Sequence, residues 1–210
     1  MNLLIQYGWY ALLFAIAGDM FLPFILTPFY KGYSNTLMSV SVLGNPQSPV
    51  RVVFNLWMLL EGILFLAALP ALYHEYAQTS KLLAAIAIVF IAVFAVGACI
   101  FTCFFSANET REEVTPASQI HGVGSVAGFV LLLFVPLLLA RLSFLERDKT
   151  AGIVFTSSFL LAFLSFALFV MADKPRFAET ILTKEGLWQR LALLFMYLPL
   201  GYCAVKNILG

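Results

Sequence analysis

The amino-acid sequence predicts an all-α, polytopic membrane protein built as a bundle of six transmembrane helices. Of its 210 residues, 62% are hydrophobic and 11% are charged, whereas about 25% of residues are charged in soluble domains. The apolar residues form six runs of roughly 20 residues, the length that a helix needs to cross the hydrocarbon core. No fixed-period repeat or low-complexity tract interrupts these runs. We therefore expect one domain that covers residues 1–210.

The six predicted spans follow one another along the chain. They run approximately over residues 3–27, 52–73, 82–105, 120–140, 152–172 and 187–208. The first run has no Lys or Arg before it and no clear small-residue cleavage site after it, so we expect a retained helix rather than a signal peptide. Helices satisfy their own backbone hydrogen bonds in lipid, and an even number of spans places both termini on one side of the membrane.

The connections between the spans alternate between long and short. Those after spans one, three and five are long and polar and define the long-loop face, whereas those after spans two and four define the short-loop face. More Lys and Arg residues lie at the long-loop face, but the densest basic cluster, Arg141, Arg147 and Lys149, lies in a short connection. The positive-inside bias is strongest for short connections. We therefore expect a protein of the cytoplasmic membrane whose short loops and termini are cytoplasmic.

Ionisable side chains inside the spans gather in the half nearer the long-loop face. At about 1.5 Å rise per residue, Asp19 and Glu61 lie about 12 to 15 Å below that end of their helices, and Asp173 and Arg190 lie close to it. A charge at the bilayer centre costs at least about 2.5 to 3.5 kcal/mol on insertion scales. We therefore expect both carboxyls to be paired, protonated or in contact with water in a cavity. The alternative is that each forms a hydrogen bond to a neighbouring helix as a neutral acid.

The fourth span opens with small and polar residues. At about 100° per residue, His121, Gly124, Ser125 and Gly128 share one helical face. Such residues let a neighbouring backbone approach closely. The simplest interpretation is therefore a tight helix contact, with a histidine at its edge whose hydrogen bonds are satisfied. The position of the acids favours a second interpretation, in which His121 and Ser125 belong to a pocket.

These polar positions together predict a ligand-binding pocket that opens toward the long-loop face. Its expected lining residues are Asp19, Asn55, Glu61, His121, Ser125 and Arg190. A guanidinium is permanently charged and offers a fork of donors, so Arg190 would suit a phosphate or carboxylate. No cofactor is expected, and two histidines at opposite ends of the bundle predict no metal site. The expected partners are membrane lipids and a small amphipathic ligand, and a net charge of +1 without a basic run predicts no nucleic acid partner.

Several short motifs stand near the ends of the predicted spans. They are Tyr33-Ser34, Ser39-Val-Ser41-Val-Leu-Gly44, Arg51-Val-Val-Phe54-Asn55 with Gly62, His121-Gly122 and Gly186-Leu-Trp-Gln-Arg190. In this order and spacing the chain resembles, over essentially its whole length, the prokaryotic six-helix membrane family called domain of unknown function 998. The loop motif of that family often has an acidic residue at the position of Val42, so no carboxylate role is expected there. The resemblance implies a six-helix membrane fold with polar positions toward one face, and it supplies no activity, substrate or cofactor.

Three hypotheses about function follow from the predicted pocket. The first is a protein that binds or moves a small amphipathic or lipid-like ligand. The second is an accessory or structural membrane subunit, in which the acids serve only helix packing. The third is an intramembrane lipid hydrolase with His121 as the base and Ser125, Ser39 or Ser41 as the nucleophile. Its weakness is that His121 and Ser125 are one turn apart on one helix, which aligns them poorly, and no nucleophile-elbow motif occurs. Whether the protein is an enzyme stays open at this point.

Overall fold

The computed structural model describes residues 3–106, 115–172, 174–177 and 180–210, and within these ranges it contains helices and no strand. The six long helices are α1 Leu3–Leu26, α2 Arg51–Tyr76, α3 Lys81–Phe104, α4 Pro116–Leu145, α5 Lys149–Ala172 and α6 Glu185–Leu209. Each is long and apolar enough to cross a membrane. The predicted fold class is therefore confirmed. Asp173 and residues 107–114 of the second long loop lie outside the described residues.

The helix boundaries differ most from the predicted spans in α4. The helix begins at Pro116, before the apolar run, because the Thr115 side chain accepts a hydrogen bond from the Ser118 N–H at 3.1 Å and Ser118 Oγ accepts one from the Thr115 N–H at 3.0 Å. This reciprocal capping satisfies backbone donors at the helix start. Hydropathy marks only the part of a helix suited to hydrocarbon, whereas capping groups decide where the helix begins.

The six helices form a closed ring. Each helix packs against the next one along the chain, and α6 returns to pack against α1. Lipid tails are as apolar as core side chains, so helix association in a membrane depends on close packing and on hydrogen bonds rather than on hydrophobic burial. Accordingly, the polar side chains of Asp19, Asn55 and Glu61 are buried inside the ring, while side chains such as Phe21 and Val52 are exposed on its outside.

The helix α3 changes to π-helical geometry in its middle, over Ala95–Ile100. At this segment α3 comes into backbone contact with α4, because a Cβ atom built on Gly124 would lie 2.6 Å from the carbonyl oxygen of Gly97. On the other side a Cβ atom on Gly62 of α2 would lie 2.7 Å from the carbonyl oxygen of Ala95. The tight helix contact expected around Gly124 is therefore present, and its partner is the π-helical segment of α3.

Replacing Gly124 by Ala should destabilise the protein by about 1 to 3 kcal/mol, because the added methyl group meets the α3 backbone and neither helix can give way locally. Gly122→Ala is the matched control on the same helix, since a Cβ atom at Gly122 meets nothing within 4 Å. Unfolding of purified protein by SDS titration from mixed micelles measures both effects. Equal stability of the two variants would contradict the close approach of α3 and α4.

Candidate functional site

A cavity of about 450 Å³ lies inside the half of the ring nearer the long-loop face. Its lining comes from all six helices and from the first long loop. Four of the six predicted pocket residues line it, namely Asp19, Glu61, His121 and Ser125. The other two, Asn55 and Arg190, do not. The structure thus brings the two acids, the histidine and the serine into one shared space.

The floor of the cavity carries two carboxyls, and one phenol lies beneath them within hydrogen-bonding distance of both. The Tyr197 hydroxyl lies 2.9 Å from Asp19 Oδ2 and 3.4 Å from Glu61 Oε1. Glu61 is 0% exposed and Asp19 is 6% exposed. A phenol has one proton, so it cannot donate fully to two ionised carboxylates, which would also repel each other. The geometry fits a pair that shares one proton, with Tyr197 donating to Asp19 and a protonated Glu61 donating to the phenol oxygen.

A layer of aromatic rings closes the cavity on the side of the short-loop face. The ring of Tyr197 stacks on Phe65 with centroids 5.8 Å apart, and Phe94 packs edge-on against both rings at 5.4 and 6.1 Å. All three side chains are buried. Because this layer lies directly beneath the acids, the polar space ends at the floor and does not continue through the bundle.

His121 lies at the upper wall, where its ring contacts the end of α3. Thr102 Oγ1 donates to the Ala98 carbonyl oxygen at 2.6 Å and lies 3.3 Å from His121 Nδ1. The Thr102 hydroxyl and the His121 ring are therefore in direct polar contact. The structure gives no hydrogen bond between His121 and Ser125 in the described part of the chain. Within the same ranges no group of three His, Cys, Asp or Glu side chains is arranged to hold a metal ion.

The roof of the cavity is the first long loop, residues 30–50, which we call the capping loop. Ser39, Val40 and Ser41 of this loop line the cavity. The Val40 N–H donates to Gln189 Oε1 of α6 at 2.7 Å, and both groups are buried. The loop is therefore fixed to the start of α6 through its backbone.

Arg190 binds the capping loop rather than the cavity. Nη1 donates to the carbonyl oxygens of Asn35, Met38 and Gly186, and Nη2 donates to the Tyr33 hydroxyl and the Asn35 side chain, at 2.7 to 3.3 Å. Burial raises the pKa of the Tyr33 phenol, although the Arg190 charge acts in the opposite direction. The phenol therefore stays neutral and donates in turn to the Ser39 carbonyl oxygen at 3.1 Å. Because these donors are used on the loop, a role of Arg190 toward an anionic ligand stays a prediction.

Asn55 lies between the end of α3 and the capping loop. Its Nδ2 donates to the Cys103 carbonyl oxygen at 3.4 Å, and its Oδ1 is buried without a hydrogen-bond partner. A Cβ atom built on Gly44 would lie 2.6 Å from that oxygen. The amide therefore contacts the loop backbone closely, outside the set of lining residues.

We infer that the mouth of the cavity lies between α4 and α5. Among the described lining residues the two exposed ones are Val126 of α4, at 63%, and Val170 of α5, at 46%. Both are apolar, so the mouth faces the hydrocarbon. The capping loop contributes Ser39 and Ser41 to the lining on the other side, and both are only half-buried, so the opening toward the long-loop face stays a prediction.

The chain matches a known protein family. Residues 10–206, nearly the whole chain, match the family described as Protein of unknown function (DUF998). The chain belongs to the DUF998 family. The resemblance carried by the motifs is thereby confirmed. No curated protein and no solved structure matches the chain.

In this DUF998 protein the separate motifs meet around the cavity and its roof. Arg190 of the last motif binds Tyr33 of the first. A Cβ atom on Gly186 would lie 2.5 Å from the Asn35 carbonyl oxygen, so this glycine permits the loop to lie against α6. His121 lines the cavity below. Motifs that are distant in sequence thus form one structural unit.

Several polar residues of the DUF998 site were not among those that the sequence predicted. They are Thr102, Glu185 and Gln189 in the lining and Tyr197 beneath the floor. A usable signal existed for Tyr197, which follows Arg190 by about two turns on the same helical face. Gln189 and Glu185 gave no signal, since polar residues are ordinary where a span begins.

Replacing Arg190 by Gln should loosen the capping loop, because several loop acceptors lose their donor. We expect a loss of roughly 1 to 3 kcal/mol in the free energy of unfolding and faster amide hydrogen exchange across residues 33–44. Arg51→Gln is the matched control, since Arg51 is exposed at the start of α2. Unchanged exchange in the loop of the Arg190 variant would show that the guanidinium does not fix the roof.

Proposed function

We propose that this DUF998 protein binds, and in doing so can move, a small amphipathic or lipid-like ligand within the membrane. One observation carries the proposal: two buried carboxyls, a histidine and a serine share a single cavity of about 450 Å³. Ligand pockets generally combine apolar walls with a few convergent polar groups, at volumes of about 300 to 1,000 Å³. The cavity has this composition, with acids at its floor and phenylalanines in its walls.

The side mouth supports a ligand that comes from the bilayer. A molecule that enters past Val126 and Val170 passes between two apolar side chains before it meets any polar group. A purely water-soluble molecule would lose its hydration at that point without compensation. An amphipathic molecule, by contrast, can keep its apolar part at the mouth while its polar group reaches the floor. Membrane lipids are therefore the proposed source of the ligand or its immediate neighbours.

The two other hypotheses receive less support from the geometry. A hydrolase needs its base within hydrogen-bond reach of the nucleophile. In the described residues His121 contacts Thr102, and no hydrogen bond joins it to Ser125 or to the loop serines, whose hydroxyls lie 3.2 Å from each other. An accessory subunit needs only the packing contacts, and these do not require an acid-floored cavity with a mouth. The cavity therefore favours a binding function over both.

A bulky side chain at Ser125 should abolish ligand binding because it fills the cavity. Delipidated protein is titrated with dodecylammonium, dodecanoate and dodecanol, which share one chain and differ in charge, and native mass spectrometry counts bound molecules. We expect at least one of them to saturate at one per chain, and Ser125→Phe to lose this adduct. Ser157→Phe is the control, since Ser157 is exposed on α5.

Two results of this titration would reject a binding function. One is that no amphiphile saturates at one per chain on the unmodified protein. The other is that Ser125→Phe, shown to be folded by its melting curve, retains the same adduct as Ser157→Phe.

We also propose that the short loops and both termini face the cytoplasm, from the basic cluster between α4 and α5. Gln47→Cys in the capping loop and Gln78→Cys in the first short loop are a matched pair of exposed positions. In a background without the native cysteines, a membrane-impermeant maleimide added to intact cells should label position 47 and spare position 78. Labelling of position 78 alone would reverse the orientation.

A further inference from the structure

The Glu61 carboxyl at the cavity floor has one oxygen without a partner. Glu61 is 0% exposed and lines the cavity, and Oε2 forms no hydrogen bond. The Trp57 indole N–H and the Cys99 thiol lie close enough to the Glu61 carboxyl to stabilise its charge, although neither makes a well-formed hydrogen bond to Oε2. A buried acceptor without a partner costs free energy. A ligand group that donates a hydrogen bond or a positive charge to this oxygen would therefore gain binding free energy.

The walls next to this oxygen are rich in aromatic side chains. The lining phenylalanines are Phe54, Phe94, Phe129, Phe166 and Phe169. An aromatic face carries negative potential and attracts a cation that has lost part of its hydration. Walls of this kind accept an apolar body and at the same time favour positive charge over negative charge.

Negative charge predominates among the ionisable groups of the lining. The two acids at the floor, Asp19 and Glu61, line the cavity, and no described lining residue is Lys or Arg. Arg190, whose charge acts on Asp19 from outside the lining, donates to the capping loop through both terminal nitrogens. An anionic ligand would therefore face carboxyls with no cation in the lining to balance it.

We propose that the ligand is a cationic amphiphile, a protonated amine or quaternary ammonium with an apolar body, whose charge lies against Glu61 and Asp19. This assignment rests on the proposed function and names the chemical class of its ligand. The apolar body fills the space between the phenylalanines and extends toward the mouth at Val126 and Val170.

The cationic ligand and a proton compete for the two carboxyls at the floor. When the cavity is empty of ligand, the Asp19–Tyr197–Glu61 group fits one shared proton. A bound cation supplies the positive charge instead, so that proton leaves to solvent and both carboxyls are then ionised. The affinity for the cation should therefore fall as the pH falls, approaching about tenfold per pH unit where the shared proton is fully bound.

Other titratable and charged groups line the cavity or act on its two acids from the surrounding helices. They are Cys99 of α3, His121 of α4, and Tyr197, Glu185 and Arg190 of α6. The residues that α5 contributes to the lining, Phe166, Phe169 and Val170, do not ionise. Protonation of His121 adds positive charge at the upper wall and would weaken cation binding in the same direction. The Glu61 variant separates the two contributions.

The test uses two probes of equal shape and opposite charge, tetraphenylphosphonium and tetraphenylborate. Isothermal titration calorimetry on the full chain in a neutral maltoside detergent measures both affinities over a range of pH. We expect tetraphenylphosphonium to bind at one per chain, with an affinity that falls at acid pH, and tetraphenylborate to bind at least tenfold more weakly.

Isosteric variants then test whether the carboxyls of Glu61 and Asp19 bind the cation. Glu61→Gln should weaken tetraphenylphosphonium at least tenfold at neutral pH and flatten its pH dependence, and Asp19→Asn should weaken it in the same direction. Glu75→Gln is the matched control on the same helix, since Glu75 is exposed near the short-loop end of α2. If the Glu61 variant fails to fold, the Asp19 variant and the two probes on the unmodified protein still test the cation assignment.

Opposite results overturn the cation assignment. Equal or tighter binding of tetraphenylborate does so, as does a folded Glu61→Gln protein that binds tetraphenylphosphonium as well as the unmodified chain. If a neutral or anionic dodecyl amphiphile occupies the Ser125-dependent site while the cations do not, the cation assignment fails and the binding function stands. If no amphiphile of any charge binds, both fail.

Discussion

Two carboxyl groups inside the membrane-spanning part of the bundle constrain the structure around them. Neither Asp19 nor Glu61 has a Lys or Arg salt-bridge partner among the described residues, so their accommodation depends on Tyr197 and on the cavity. Tyr197 can reach both only if α1, α2 and α6 keep one relative rotation. The position of three helices in the ring is thereby tied to one phenol, and the aromatic layer beneath it closes the short-loop side.

The capping loop covers one side of the polar cavity without an additional domain. The loop carries many backbone acceptors, and Arg190 supplies five hydrogen bonds to this loop and the adjoining turn of α6. A guanidinium suits this task because its donors are planar and permanently charged. The consequence is that this loop, held by Arg190, forms the long-loop side of the cavity lining.

The π-helical segment of α3 determines how closely the cavity wall approaches its neighbours. Single π-helical turns inside α-helices are rare and occur often at functional sites. Here the segment contacts Gly62 of α2 on one side and Gly124 of α4 on the other. These contacts bring Ala98 and Thr102 to the cavity, where Thr102 meets His121. The small residues of the third span therefore let α3 pack closely against both neighbours beside the cavity.

The sequence by itself determined the number of spans, the helical class and the half of the membrane in which the polar groups gather. These follow from hydropathy and from the 3.6-residue period, which act along one chain segment at a time. Only the tertiary structure decided which polar groups meet: Tyr197 lies between Asp19 and Glu61, while Arg190 binds the capping loop and Asn55 lies outside the cavity. The physical reason is that helix rotation in lipid is set by close backbone contacts such as Gly97 against Gly124, and hydrophobicity does not distinguish an apolar face toward lipid from one toward another helix.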